Sequence, residues 1–141
     1  MPSPEDQIQA ILSWNTFRWA LVNLPESATI DDVRFRDLIK VSEDDVHNYA
    51  LQHGFPESVV AERDAARTAD DRLCIVPLDD GTWSVYYSER GTRSDPVVVS
   101  SLAAARREVV RRLMTGARIS LNHRYRLAQP EENLPLPSEM D

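Results

Sequence analysis

The side chains able to carry chemistry in this chain are few and far apart. His47 and His53 lie six residues apart in a stretch that reads as helix, which turns them to different faces, whereas two helical ligands of one metal ion need a spacing of about four. The third histidine, His123, stands alone. Cys74 sits inside the apolar run Leu73-Cys74-Ile75-Val76, where a buried, inert thiol is expected. A hydrolytic mechanism would have to recruit Glu89 or His123, and neither has a second carboxylate or a nucleophile as its evident couple. The glycines, Gly54, Gly81, Gly91 and Gly116, are too dispersed to build a phosphate-cradling loop. The expectation is therefore no catalytic residue, no cofactor, no metal and no small-molecule substrate.

What remains is chemistry of contact. Thr82 to Glu89 alternates Trp83, Val85 and Tyr87 with Thr82, Ser84, Tyr86 and Ser88, the two-residue period of a strand. Trp83, Val85 and Tyr87 are expected to pack beneath a helix, which leaves Tyr86 on the other face. Glu89, Arg90 and Arg93 fall at one end of this strand and Asp79-Asp80 at the other. Tyrosine and arginine dominate many protein interfaces, so Tyr86, Arg90 and Arg93 are the first candidates for partner contact, with Glu89, Asp79 and Asp80 beside them. A Glu89–Arg90 ion pair that merely fixes the turn is the competing reading.

The elements that must position these groups follow from periodicity and punctuation. Residues 5 to 24 carry Ile8, Ile11, Leu12, Trp19 and Val22 at helical steps, ended by Asn23-Leu24-Pro25. A shorter helix follows Thr29, and a third runs from Ser42, its cap, to the stop at His53-Gly54. Residues 57 to 71 fit either a short helix or an irregular connection. Leu73 to Leu78 predicts a strand, Asp79-Asp80-Gly81 a hairpin turn, Arg90 to Ser94 a second turn, and Asp95 to Val99 a third strand. Leu102, Ala105, Val109 and Leu113 form one helical face with Gly116 expected just past its end. Residues 117 to 128 alternate Ile119, Leu121, Tyr125 and Leu127 with arginines and polar residues, which favours a strand. Gln129 to Asp141, proline-rich and acidic, reads as a flexible or surface-hugging tail.

The expected fold class is α+β: N-terminal helices and an antiparallel sheet of three or four strands with a helix on one face. Residues 1–41 form a helical extension, 42–128 an α-β-β-β-α core with a possible extra strand, and 129–141 the tail. With 141 residues, 42% of them hydrophobic, one domain is expected. The start, Met1-Pro2-Ser3-Pro4-Glu5-Asp6, has neither the basic residues nor the apolar stretch of an export signal, and a soluble cytoplasmic protein without membrane contact is expected. Charge is uneven. Residues 1–80 carry a net −9, residues 81–126 a net +6 and residues 127–141 a net −4, within a total of −7. Such a dipolar chain suits a partner of matching pattern, or neutralises itself internally.

The segment Gly81-Thr82-Trp83-Ser84-Val85-Tyr86-Tyr87-Ser88-Glu89-Arg90-Gly91, with His53-Gly54-Phe55-Pro56 before it and the alanine-rich helix from Leu102 to Met114 after it, resembles a group of small bacterial immunity proteins. Their Trp-x-Val-x-Tyr…Glu-Arg-Gly type of strand and turn precedes a similar helix, and the resemblance covers roughly residues 42 to 116. It implies an antitoxin that binds and blocks a cognate protein toxin, in some members an NAD-consuming or ADP-ribosylating one. The alternative is a module of the double-stranded-RNA-binding or antitoxin-repressor type, suggested by the order helix, three strands, helix and by Arg106, Arg107, Arg111 and Arg112. The acidic Asp79-Asp80-Gly81 turn and the net charge make nucleic acid the less favoured partner.

Overall fold

A computed structural model describes residues 2–129 and 134–140. The expected α+β class holds, with five α-helices and a four-stranded sheet among these residues. The chain divides into two compact units: Met1–Val46 with Arg112–Asp141, and His47–Arg111.

In the first unit the helical stretch expected over 5–24 is two helices, α1 (Pro4–Leu12) and α2 (Thr16–Val22). Trp14 breaks them with a φ of 56°, a left-handed conformation rare for a bulky residue. Ile8, Ile11, Leu12 and Ala20 turn inward. Beyond Pro25, a 3-10 turn at Ile30–Asp32 is held by Asp32, whose carboxylate accepts from the backbone N–H and hydroxyl of Thr29 at 3.0 Å each. A single helical turn, α3 (Phe35–Leu38), follows, then α4 (Glu43–His53), with the expected Ser42 cap and acidic first turn, of which only residues 43–46 belong to this unit.

The largest departure is α5, one helix from Leu102 to Ala128. Neither the stop at Gly116 nor the strand at 117–128 forms. Leu113, Met114, Ala117 and Leu121 are fully buried at steps of one, three and four, while Ile119 and Leu127, two members of the alternating set, are exposed. The two-residue period was coincidental with a helical one. Gly116 serves a different purpose from a stop: a Cβ there would lie 3.4 Å from the Trp14 indole nitrogen, so the missing side chain lets the ring approach the helix.

Asn122, fully buried on α5, ties this unit together. Its Oδ1 accepts from the backbone N–H of Phe35 at 2.7 Å, and its Nδ2 donates to the carbonyls of Pro137 and Met140 at 3.0 and 2.8 Å. Of the expected tail, residues 134–140 carry a 3-10 turn at Pro137–Glu139 and a buried Met140; residues 130–133 and 141 lie outside the described residues.

The second unit holds the sheet, in the order β1 (Val60–Glu62), β2 (Arg72–Pro77), β3 (Trp83–Glu89), β4 (Thr92–Val99). The last three are antiparallel as expected, but β1 pairs with β2 in parallel, Val60 opposite Leu73 and Glu62 opposite Ile75. The sheet is thus mixed rather than antiparallel. The reason lies in residues 57–71, left open by their composition. They supply a three-residue strand and a 3-10 crossover, Arg63–Thr68, which returns the chain over one sheet face in the original direction. The first turns of α5 bury Ala105 and Val109, and Arg106 anchors them to β1 through a 3.0 Å ion pair with Glu62.

Replacing Asn122 by leucine strands the buried Phe35 N–H and the carbonyls of Pro137 and Met140, and is expected to cost at least about 3 kcal/mol, since each buried group left without a partner costs about 1–3 kcal/mol. Ile119→Ala, on the exposed side of the same helix, stays within about 0.5 kcal/mol of the parent. Thermal and urea unfolding followed by circular dichroism check both.

Candidate functional site

The six residues singled out for partner contact occupy three different settings. Asp79 and Asp80 form the β2–β3 turn, a three-residue loop closed by the Leu78 N–H on the Thr82 carbonyl at 2.9 Å, with Gly81 at a φ of 87°. The Asp80 carboxylate is turned inward on this loop, accepting from the hydroxyl and the backbone N–H of Thr82, and these bonds hold it below the usual carboxylate range. Asp79 is exposed beside it. The seven residues of β3 separate this turn from the arginine end by about 20 Å, so the acidic and basic candidates form no common site.

Tyr86 is not the exposed contact its place in the strand suggested. Alternation does send it to the face opposite Val85, but that face is covered: Tyr86 is 3% exposed and packs with Cys74, its cross-strand neighbour, and with Ala61 and Ala66. The cover is the 3-10 crossover, which contributes Ala66. Burial pushes both the Tyr86 phenol and the Cys74 thiol above their ordinary values. On the opposite face Val85 is fully buried and Trp83 and Tyr87 are half-buried, with Arg63 5.6 Å from the centre of the Trp83 ring.

Glu89, Arg90 and Arg93 come together at the β3–β4 turn. Glu89 pairs with Thr92, which leaves Arg90 and Gly91 as the two central residues, shorter than the five-residue turn expected. Their φ angles of 51° and 78° are both left-handed, the requirement of the hairpin turn whose twist matches the strands. Arginine is a costly choice in that conformation, by about 1–2 kcal/mol. The turn is braced by residues that sequence reasoning missed. The Arg90 N–H donates to Asp70 Oδ1 at 2.6 Å, and the Ser88 hydroxyl donates to the Ala69 carbonyl at 2.9 Å. The brace therefore comes from the end of the crossover rather than from a Glu89–Arg90 ion pair. The adjacent carboxylates Asp70-Asp71, just before a strand, were the available signal.

Arg93 lies opposite Ser88 and places its guanidinium 4.5 Å from the centre of the Tyr86 ring, a cation–π contact worth about 0.5–1 kcal/mol at an exposed position. The buried tyrosine thus acts as a pedestal for an exposed arginine. Among the described residues, neither Arg90 nor Arg93 is in an ion pair with a carboxylate. The turn presents two un-neutralised guanidinium groups and the Glu89 carboxylate to the outside on a fixed backbone. A separate cleft of about 460 Å³, lined by residues including Phe55, Glu57, Glu62 and Arg72, takes in none of the six. The described residues include no cluster of three or more metal-ligating side chains and no helix long and apolar enough to cross a membrane.

Two outcomes follow. Asp70→Ala frees the Arg90 amide, which is expected to exchange with solvent at least about tenfold faster, while the β2 amides stay protected. Cys74 is expected to react with a thiol reagent only on unfolding. Because the raised Cys74 and Tyr86 groups keep their protons longer when folded, the unfolded chain loses protons first as pH climbs past the ordinary values of 9.0 and 10.0. Their stabilisation is complete below that range and falls above it, which denaturant titrations at pH 7, 9 and 10.5 would resolve. No protein-family model, curated protein or solved structure matches this chain.

Proposed function

We propose that the chain is an immunity protein, an antitoxin that binds a cognate bacterial protein toxin in the cytoplasm and blocks it without turnover of its own. The observation that carries this reading is the β3–β4 turn, where Arg90 and Arg93 stand outside on a backbone braced by Asp70 and a side chain seated on Tyr86. Fixing the Arg90 backbone and the Arg93 side chain before binding lowers the entropy lost on association, and arginine is a frequent source of binding energy at protein interfaces. The Trp-x-Val-x-Tyr…Glu-Arg-Gly resemblance lends the same direction, since the residues it marks are this strand and turn. Val85 and Tyr86 serve the core, Trp83 is half-buried beside Val85, and Glu89, Arg90 and Arg93 make the contact. A toxin that binds NAD or transfers ADP-ribose suits the resemblance. Asp79 and Asp80, at the far turn, supply a second, acidic contact for a basic cleft.

The test is complex formation with a secreted toxin domain encoded beside this chain, measured by calorimetry. Arg90→Gly is the informative variant, because glycine relieves the left-handed strain and removes the guanidinium at once. It is expected to keep or raise the melting temperature while weakening the complex at least about tenfold, and Arg93→Ala to weaken it similarly. A complex insensitive to both, or none with the neighbouring toxin, contradicts the reading.

A further inference from the structure

The two edges of the sheet are treated very differently. β1 is three residues long, buried along Val60 and Ala61, and closed by the Glu62–Arg106 pair. β4 is eight residues long, and no strand among the described residues pairs with its outer side. Val97 is 37% and Val98 62% exposed although they point to opposite faces, so the strand projects past the cover on both sides. A long edge that ends in three valines invites pairing with another chain, and folded proteins ordinarily blunt such edges. Here the guards lie in the first five residues: Arg93 carries a charge, and Asp95, with a φ of 51°, and Pro96 form an irregularity opposite Tyr86. Beyond it the ladder is regular, with Val97, Val98 and Val99 opposite Val85, Ser84 and Trp83, so three β-branched residues present an orderly free edge.

We propose that the outer edge of β4 is a docking strip on which an extended, acidic segment of the partner adds as a fifth strand. This rests on the binding reading above and deepens it by naming the surface and the chemistry of what it takes. Charge selects the occupant. Arg93 and Arg90, neither in an ion pair among the described residues, lie with Glu89 at the hairpin end of the strip, Asp95 follows, and Val97–Val99 stand at the other end, about 15–20 Å away. A matching strand carries carboxylates at one end and β-branched residues at the other. A second copy of this chain fits less well. Antiparallel self-pairing centred on Val98 joins valine to valine but sets Arg93 against Ala103, and centring on Ser94 joins Arg93 to Asp95 but sets Val98 against Arg90. Neither satisfies both ends, and each copy carries a net −7.

The probe is a capped synthetic octapeptide with two glutamates at one end and alternating valine and threonine at the other, titrated into the isotope-labelled protein and followed by amide NMR. Shifts and slowed hydrogen exchange confined to residues 90–99 are expected, with at least tenfold weaker binding for the peptide carrying lysine in place of glutamate, and loss of binding in Val98→Lys, an exposed change that leaves the fold intact. Arg93→Glu is expected to reverse the preference between the two peptides. No shifts at millimolar peptide, shifts elsewhere, or equal binding of both peptides overturns the inference, as does self-association through β4 that excludes the peptide. A toxin complex unaffected by Val98→Lys overturns the docking strip and leaves the antitoxin reading standing. Peptide addition to β4 without any toxin complex does the reverse.

Discussion

The 2.6 Å hydrogen bond from the Arg90 amide to Asp70 is the constraint on which the arrangement of the candidate surface depends. It pins a costly left-handed arginine at the tip of a hairpin to the end of the crossover that covers the sheet. That crossover buries Tyr86 and Cys74 on one face, while Val85 is fully buried on the other. With both faces of β2 and β3 occupied, the exposed arginines of this region are left at the margin of the sheet, at the β3–β4 turn and on β4. Tyr86 links the two roles, since its ring is core on one side and the seat of Arg93 on the other.

The first unit obeys a different logic. Its N-terminal helices are short and several are capped by carboxylates, but its closure depends on an amide of the long α5: Asn122 satisfies one donor and two acceptors from segments far apart in sequence. A buried polar group of this kind stabilises only while every partner is present, which makes the contact specific as well as strong. Gln7 plays a smaller version of the part, accepting from the Lys40 amide at 2.7 Å and donating to the Pro2 carbonyl at 3.3 Å. Arg34 over Tyr125 and Arg118 over Phe35 add cation–π contacts around α5. The arginine richness of the chain is thus partly spent on internal stacking.

Local signals were readable where chemistry is local. The cap and acidic first turn of α4, the Asp79-Asp80-Gly81 loop, the alternation of β3 and the placement of Val85 in the core all follow from nearest neighbours in sequence. What could not be read depended on partners remote in the chain. Gly116 resembles a helix stop unless one knows that Trp14 lies against it. The alternation at 117–128 resembles a strand until Leu113 and Leu121 are seen buried on the same helical face. Tyr86 reads as exposed because nothing in its own strand announces the cover supplied by residues 63–68. The same holds for Asp70, whose role exists only because a turn twenty residues away folds back to it.

The central claim is that this molecule works by presenting the β3–β4 turn and its neighbouring edge to another polypeptide. The most direct measurement is hydrogen–deuterium exchange of the chain alone and with the toxin domain proposed as its partner. The account predicts new protection concentrated in residues 89–99. Protection centred on the Asp79–Gly81 turn or on α1 and α2, with residues 89–99 unchanged, would contradict it.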